Sequence, residues 1–143
     1  MKFRKSLIVI SWAAVLLCMA VIFVLSAQKG DESQSLSDGL IFVTEFGFGS
    51  DLVRTCAHFL EYAGLSVLIY NALYQSCGKV RPYWSVFLSF LYAVSDEIHQ
   101  LFVEGRAAQI SDIIIDTFGA VSGIAVLTVL IIIFGKIKRR NCK

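Results

Sequence analysis

Tyr83-Trp84-Ser-Val-Phe-Leu-Ser-Phe-Leu-Tyr-Ala-Val-Ser-Asp96-Glu97-Ile-His99-Gln100-Leu-Phe-Val103 is the stretch that decides the fold. Its length suits the ~20 residues a helix needs to cross ~30 Å of hydrocarbon. Its last third nevertheless carries Asp, Glu, His and Gln. Three other apolar runs, Leu7–Leu25, Ala57–Tyr74 and Ile113–Phe134, have the same reach. If Tyr83–Val103 crosses as well, the chain crosses four times. An Asp at the centre of a membrane helix costs roughly 2.5–3.5 kcal/mol, so an intramembrane ionisable residue reads first as a functional site.

Composition agrees with that reading. The 143 residues are 57% hydrophobic with a single Pro, and the mean hydropathy is +0.71, well above a soluble domain. Spans over 7–25, 57–75, 83–103 and 112–134 leave no room for an appended nucleotide-binding module. The expectation is one membrane domain over 1–143, an all-α bundle of four transmembrane helices. Lys2, Arg4 and Lys5 precede the first run in the manner of a signal peptide. That run is longer than the usual 7–15 residue apolar region, and Leu25-Ser26-Ala27 is a poor cleavage site, so a retained helix is expected.

Basic residues orient the bundle. Ten of the 13 Lys and Arg fall at the N-terminus, at Lys79 and Arg81, and in the tail from Lys136 to Lys143. The positive-inside rule makes all three regions cytoplasmic, so both termini lie inside. Lys29, Arg54, Arg106 and all 11 acidic residues fall on the outer side. The net charge of +2 therefore conceals a charge separation across the membrane. The basic tail suits anionic lipid headgroups and carries no nucleic-acid signature. Cys18, Cys56, Cys77 and Cys142 share no oxidising compartment and have no CxxC spacing, so they read as small apolar filler.

The outer end collects the chemistry. Arg54, His58 and Glu61 are spaced i, i+4, i+7, which puts them on one helix face, with Glu61 ~10 Å below Arg54; Tyr62 sits beside it. In the third span Asp96 rises ~18 Å and Gln100 ~24 Å above Trp84, and Tyr83 and Trp84 form an aromatic belt on the inner side. Glu104-Gly105-Arg106 ends that helix with a Gly at its C-terminus. Ser111 is a natural N-cap for the fourth span, whose stripe carries Asp112, Asp116, Gly119 and Gly123. Gly119-x-x-x-Gly123 permits close helix approach, a weak signal alone. Between the first two spans, Lys29–Asp51 has near-helical apolar spacing, and Ser33 or Ser35 would start a helix. A short amphipathic helix in the outer interface and an ordinary packed loop both fit.

Three readings of the cluster compete. It is an ion network holding the helices in register. Or it is an outward pocket for the polar headgroup of a lipid-linked molecule, with the arginines on phosphate or carboxylate. Or it is a catalytic site, with Glu97 or Glu61 as general base and His58 or His99 as proton shuttle. His58, Glu61, His99 and Asp112 would suit zinc or manganese, yet their spacing is not that of a zinc protease, and no metal or other cofactor is expected. There is no Gly-rich phosphate loop, Ser nucleophile elbow or Cys-His pair. The two halves show no repeat, which argues against a transporter.

Several stretches together resemble the VanZ-like membrane proteins: Arg54-Thr-Cys-Ala-His58-Phe-Leu-Glu61-Tyr62, Ser95-Asp96-Glu97-Ile-His-Gln100, Glu104-Gly105-Arg106 and Asp112-Ile-Ile-Ile-Asp116-Thr-Phe-Gly119. They match in order and spacing, with Ser26-x-Gln28 closing the first span. The family pattern maps onto Arg54, His58, Tyr62, Glu97, Gln100, Arg106, Asp112 and Asp116; with Asp96 these form the expected ligand-binding set. His99 and Glu61 fit it less well. The resemblance implies a multi-pass protein of the bacterial plasma membrane. The name-giving member of that family is linked to resistance to teicoplanin, which acts on peptidoglycan precursors at the outer leaflet. The implied function is binding of an envelope-related ligand, either a lipid-linked precursor or a lipoglycopeptide. A small membrane enzyme acting on a lipid-linked substrate is the alternative.

Overall fold

The computed structural model describes residues 2–27, 50–79, 81–103 and 109–141. The outer-loop helix expected after Lys29 and the Glu104-Gly105-Arg106 turn lie outside the described residues, apart from Ser50 and Asp51. Four helices make up the described part: α1 (Lys2–Ser26), α2 (Ser50–Cys77), α3 (Tyr83–Gln100) and α4 (Ile110–Asn141).

The helices extend past the expected spans at most ends, from Lys2, from Ser50 and to Asn141, and two differences bear on the polar end. α3 stops at Gln100, and Leu101–Val103 form a turn in which Phe102 and Val103 donate to the carbonyls of His99 and Gln100 at 3.0 and 3.1 Å. α4 begins at Ile110, so Ser111 lies inside its first turn and Gln109 takes the cap position. α2 ends at Gly78, whose φ of 75° is the left-handed geometry glycine supplies at helix C-termini. Pro82 then precedes α3, its carbonyl accepting from the Ser85 hydroxyl at 2.7 Å.

Side-chain contacts fix the directions. The Trp12 indole donates to Ser76 at 3.1 Å, while Cys18, further along α1, lies within electrostatic reach of Glu61, so α1 and α2 are antiparallel. Tyr92 donates to the Met19 carbonyl at 2.7 Å and Ser26 to Asp96 at 2.7 Å, so α3 runs with α1. Ser66 donates to the Ala120 carbonyl at 3.0 Å, and α4 runs with α2. The chain is thus up-down-up-down, with α2 in contact with all three other helices.

The closest pairing is that of α2 with α4, and glycine makes it. A Cβ on Gly119 would collide with the carbonyl oxygen of Phe59, and one on Gly123 with that of Ala63. The expected Gly119-x-x-x-Gly123 stripe therefore sets backbone against backbone between parallel helices. On the other side of α2, Val15, Ile22, Tyr62, Leu65, Ile69, Ala72 and Ala93 form the core with α1 and α3.

By length and apolarity two helices qualify as membrane spans, Lys5–Ser26 and Ile110–Gly135. Only 17% and 22% of their apolar windows are buried within the protein, the reverse of core helices in a soluble domain. Val9, Leu16, Val24, Phe118 and Ile131 are among many large apolar side chains facing outward, a surface that calls for an apolar covering. α2 and α3 fall short of that criterion. On α3 most of the polar side chains are turned inward, Ser85, Ser89, Asp96, Glu97 and Gln100 being buried.

Candidate functional site

Where α1 and α3 end and α2 and α4 begin, the bundle interior changes from apolar to polar. Arg106 lies outside the described residues. The other predicted residues, Arg54, His58, Tyr62, Asp96, Glu97, Gln100, Asp112 and Asp116, all belong to this end. Tyr62, Asp96, Glu97, Gln100 and Asp116 are buried there, none more than 3% exposed.

The first group joins α1 to α3. Ser26, the last residue of α1, donates to Asp96 Oδ2 at 2.7 Å. One turn along α3, the Gln100 amide approaches the same oxygen at 3.4 Å. His99 lies beside them, its ring stacked on Phe23 with centroids 4.2 Å apart. A hydroxyl and an amide, rather than a cation, therefore hold this carboxylate.

The second group joins α2 to α4. His58 Nδ1 and Asp116 Oδ1 are 3.6 Å apart, beyond good hydrogen-bond length. One turn outward, Arg54, Thr55, His58, Asp112 and Ile115 line a crevice of about 10 Å3, the room of one water-sized probe.

Glu97 connects α3 to the start of α4. Its Oε2 accepts the backbone N–H of Gln109 at 2.7 Å. In a capping box a carboxylate three residues into the helix takes the cap residue's N–H. Here a neighbouring helix supplies it, and its charge complements the positive end of the α4 dipole. Ser111, expected as the cap, instead contacts Gln109 and Asp112 side chains at 3.4 and 3.2 Å.

Tyr62 sits between the groups. It is fully buried, its ring centroid lies 6.2 Å from that of Tyr92, and Asp96 and Asp116 both lie within electrostatic reach. Among the described residues its hydroxyl makes no hydrogen bond, nor does Asp96 Oδ1, nor do the two oxygens of Asp116. Three helices thus contribute buried polar atoms to one region without a hydrogen-bond partner among the described residues.

The metal set drawn from sequence does not converge. Among the described residues no three His, Cys, Asp or Glu side chains come into ligating range; His99 is turned onto Phe23 while Asp112 lies with Arg54. Sequence reasoning also missed partners. Ser26 was noted only as a helix end, and Phe23, Tyr92 and Gln109 not at all. A serine closing an apolar helix was the one available signal.

No curated protein and no solved structure matches the chain. The profile of the VanZ/LLP1 family matches residues 11–133, reaching into all four helices and including every described residue of the polar end. With its outward apolar helices, this is a membrane protein, and the chain belongs to the VanZ/LLP1 family.

Proposed function

We propose that this is a four-span protein of the bacterial plasma membrane, with both termini cytoplasmic and the polar end facing outward. That end binds the headgroup of an envelope amphiphile, a lipid-linked precursor or a lipoglycopeptide, and thereby alters susceptibility to teicoplanin-type antibiotics. One observation carries the reading: polar atoms of Tyr62, Asp96 and Asp116, from three helices, share a buried region with no hydrogen-bond partner among the described residues. A network kept only for packing would pair its buried groups, because each one left unsatisfied costs roughly 1–3 kcal/mol. Arg54 and Asp112 at the crevice one turn outward place both signs of charge at the entrance. Ten of the 13 basic residues, at the N-terminus, between α2 and α3 and in the tail, support the orientation.

The pair of His58 with Asp116 supports a second reading, a small enzyme in which His58 handles a proton. The two readings part on turnover by purified protein. The test of the first is teicoplanin susceptibility of a sensitive host expressing the wild type or Asp116→Asn, with membrane abundance and melting measured alongside. Wild-type protection lost in an abundant, equally stable variant supports it. Protection that follows stability alone assigns the polar end to packing.

A further inference from the structure

The buried atoms without a partner at the polar end have a common chemistry. Asp96 Oδ2 accepts from the Ser26 hydroxyl and the Gln100 amide, but Oδ1 accepts from nothing among the described residues. Both oxygens of Asp116 are in the same condition, with His58 Nδ1 3.6 Å from one of them. A carboxylate oxygen only accepts, so what is missing is a donor. The fourth atom is the hydroxyl of Tyr62, a fully buried side chain on another helix with Asp96 and Asp116 in electrostatic reach. It can accept as well as donate.

Charge points the same way. Asp96, Glu97, Asp112 and Glu61 all lie within electrostatic reach of Asp116. No Lys or Arg is among the buried described residues. Of the two histidines in reach of Asp96, His99 is stacked on Phe23. An anion would add to the acidic charge, whereas buried carboxylates need a positive partner. Size narrows the cation. The crevice lined by His58 has the room of one water, which an –NH3+ group matches and a phosphate exceeds. A metal ion would need a tight shell of ligands, and no three ligating side chains converge among the described residues. An ammonium instead presents three N–H donors at the longer hydrogen-bond distance, and three side chains, from α2, α3 and α4, have atoms to meet them. We infer that the polar end binds a primary ammonium group, received by Tyr62, Asp96 and Asp116. The inference deepens the proposed function by naming the chemistry of the ligand, and it rests on that reading for the site being kept for a ligand.

The test follows thermal unfolding of the full chain in an uncharged detergent as phospholipids are added. Phosphatidylethanolamine should raise the midpoint progressively, because a ligand bound only by the folded state stabilises it. Phosphatidylcholine has the same net charge but no N–H, and phosphatidylglycerol has no cation; each should act several-fold more weakly. Tyr62→Phe removes only a hydroxyl without a partner and should fold, yet it should lose most of the preference for phosphatidylethanolamine over phosphatidylcholine. Asp116→Asn should lose it too. Equal shifts with those two lipids overturn the inference, as does a larger shift with phosphatidylglycerol, no shift at all, or a preference that both variants keep. Ethanolamine and ammonium chloride, added free, distinguish the sources. A shift equal to that of the lipid supports an ammonium taken from solution; a shift with the lipid alone supports one carried on a headgroup. Teicoplanin susceptibility separates this claim from the function beneath it. A preference for phosphatidylethanolamine without wild-type protection keeps the ammonium site and removes the antibiotic reading. Protection without that preference does the opposite.

Discussion

At the scale of single residues, two hydrogen bonds at the polar end make distinct predictions. Ser26 Oγ donates to Asp96 Oδ2 at 2.7 Å and ties the end of α1 to this cluster. Ser26→Ala leaves a buried carboxylate oxygen without its donor, and about 1–3 kcal/mol of stability should be lost. Asp96→Asn keeps an acceptor for Ser26 and should cost less; melting of the purified protein in detergent ranks the two. Glu97 holds the amide of Gln109. Glu97→Gln keeps the acceptor and loses the charge at the α4 N-terminus, which is worth roughly 0.3–1 kcal/mol, whereas Glu97→Ala should cost about 1–3 kcal/mol more through the lost acceptor. Hydrogen exchange at Gln109 should rise markedly only in the alanine variant. Helical spacing made Arg54, His58, Asp112 and Asp116 legible in the sequence, because one face repeats every three or four residues. Single hydroxyls such as Ser26 and Tyr92 carry no such period, so their partners appeared only once three helices were in place.

At the scale of elements, the glycines divide sharply. Gly119 faces the Phe59 carbonyl with no space for a methyl group, while Gly64 faces open space. Gly119→Ala must push α4 from α2 and should cost more than about 2 kcal/mol, within the range of overpacked sites. Gly64→Ala should be neutral or gain up to about 1 kcal/mol from helix propensity. Equal melting temperatures for the two variants would contradict this account of the seam. The four apolar runs announced four helices, and all four are present. Their ends were less legible. Gly105 suggested a later end for α3 and Ser111 a later start for α4, because local rules assume that a helix caps itself. Glu97 reaches across from α3 instead.

At the scale of the whole molecule, hydropathy gave faces but not partners. Nothing in the spacing indicated that α2 would be the hub, or that it would pair most closely with α4 in parallel. The orientation is open to test with native cysteines, since Cys56 and Cys77 are exposed at opposite ends of α2. In intact cells a membrane-impermeant maleimide should label a variant retaining only Cys56, and should reach a Cys77-only variant only after permeabilisation. The reverse pattern would turn the polar end toward the cytoplasm. The central claim is that this end is kept for a ligand rather than for packing, and Tyr62→Phe tests it most directly. The change removes one buried hydroxyl that no protein group satisfies, so packing alone predicts unchanged or slightly higher stability and unchanged protection. The measurement is teicoplanin susceptibility of a host expressing Tyr62→Phe beside the wild type, with melting of both purified proteins. A ligand site predicts protection lost at undiminished stability; protection retained at wild-type level would contradict it.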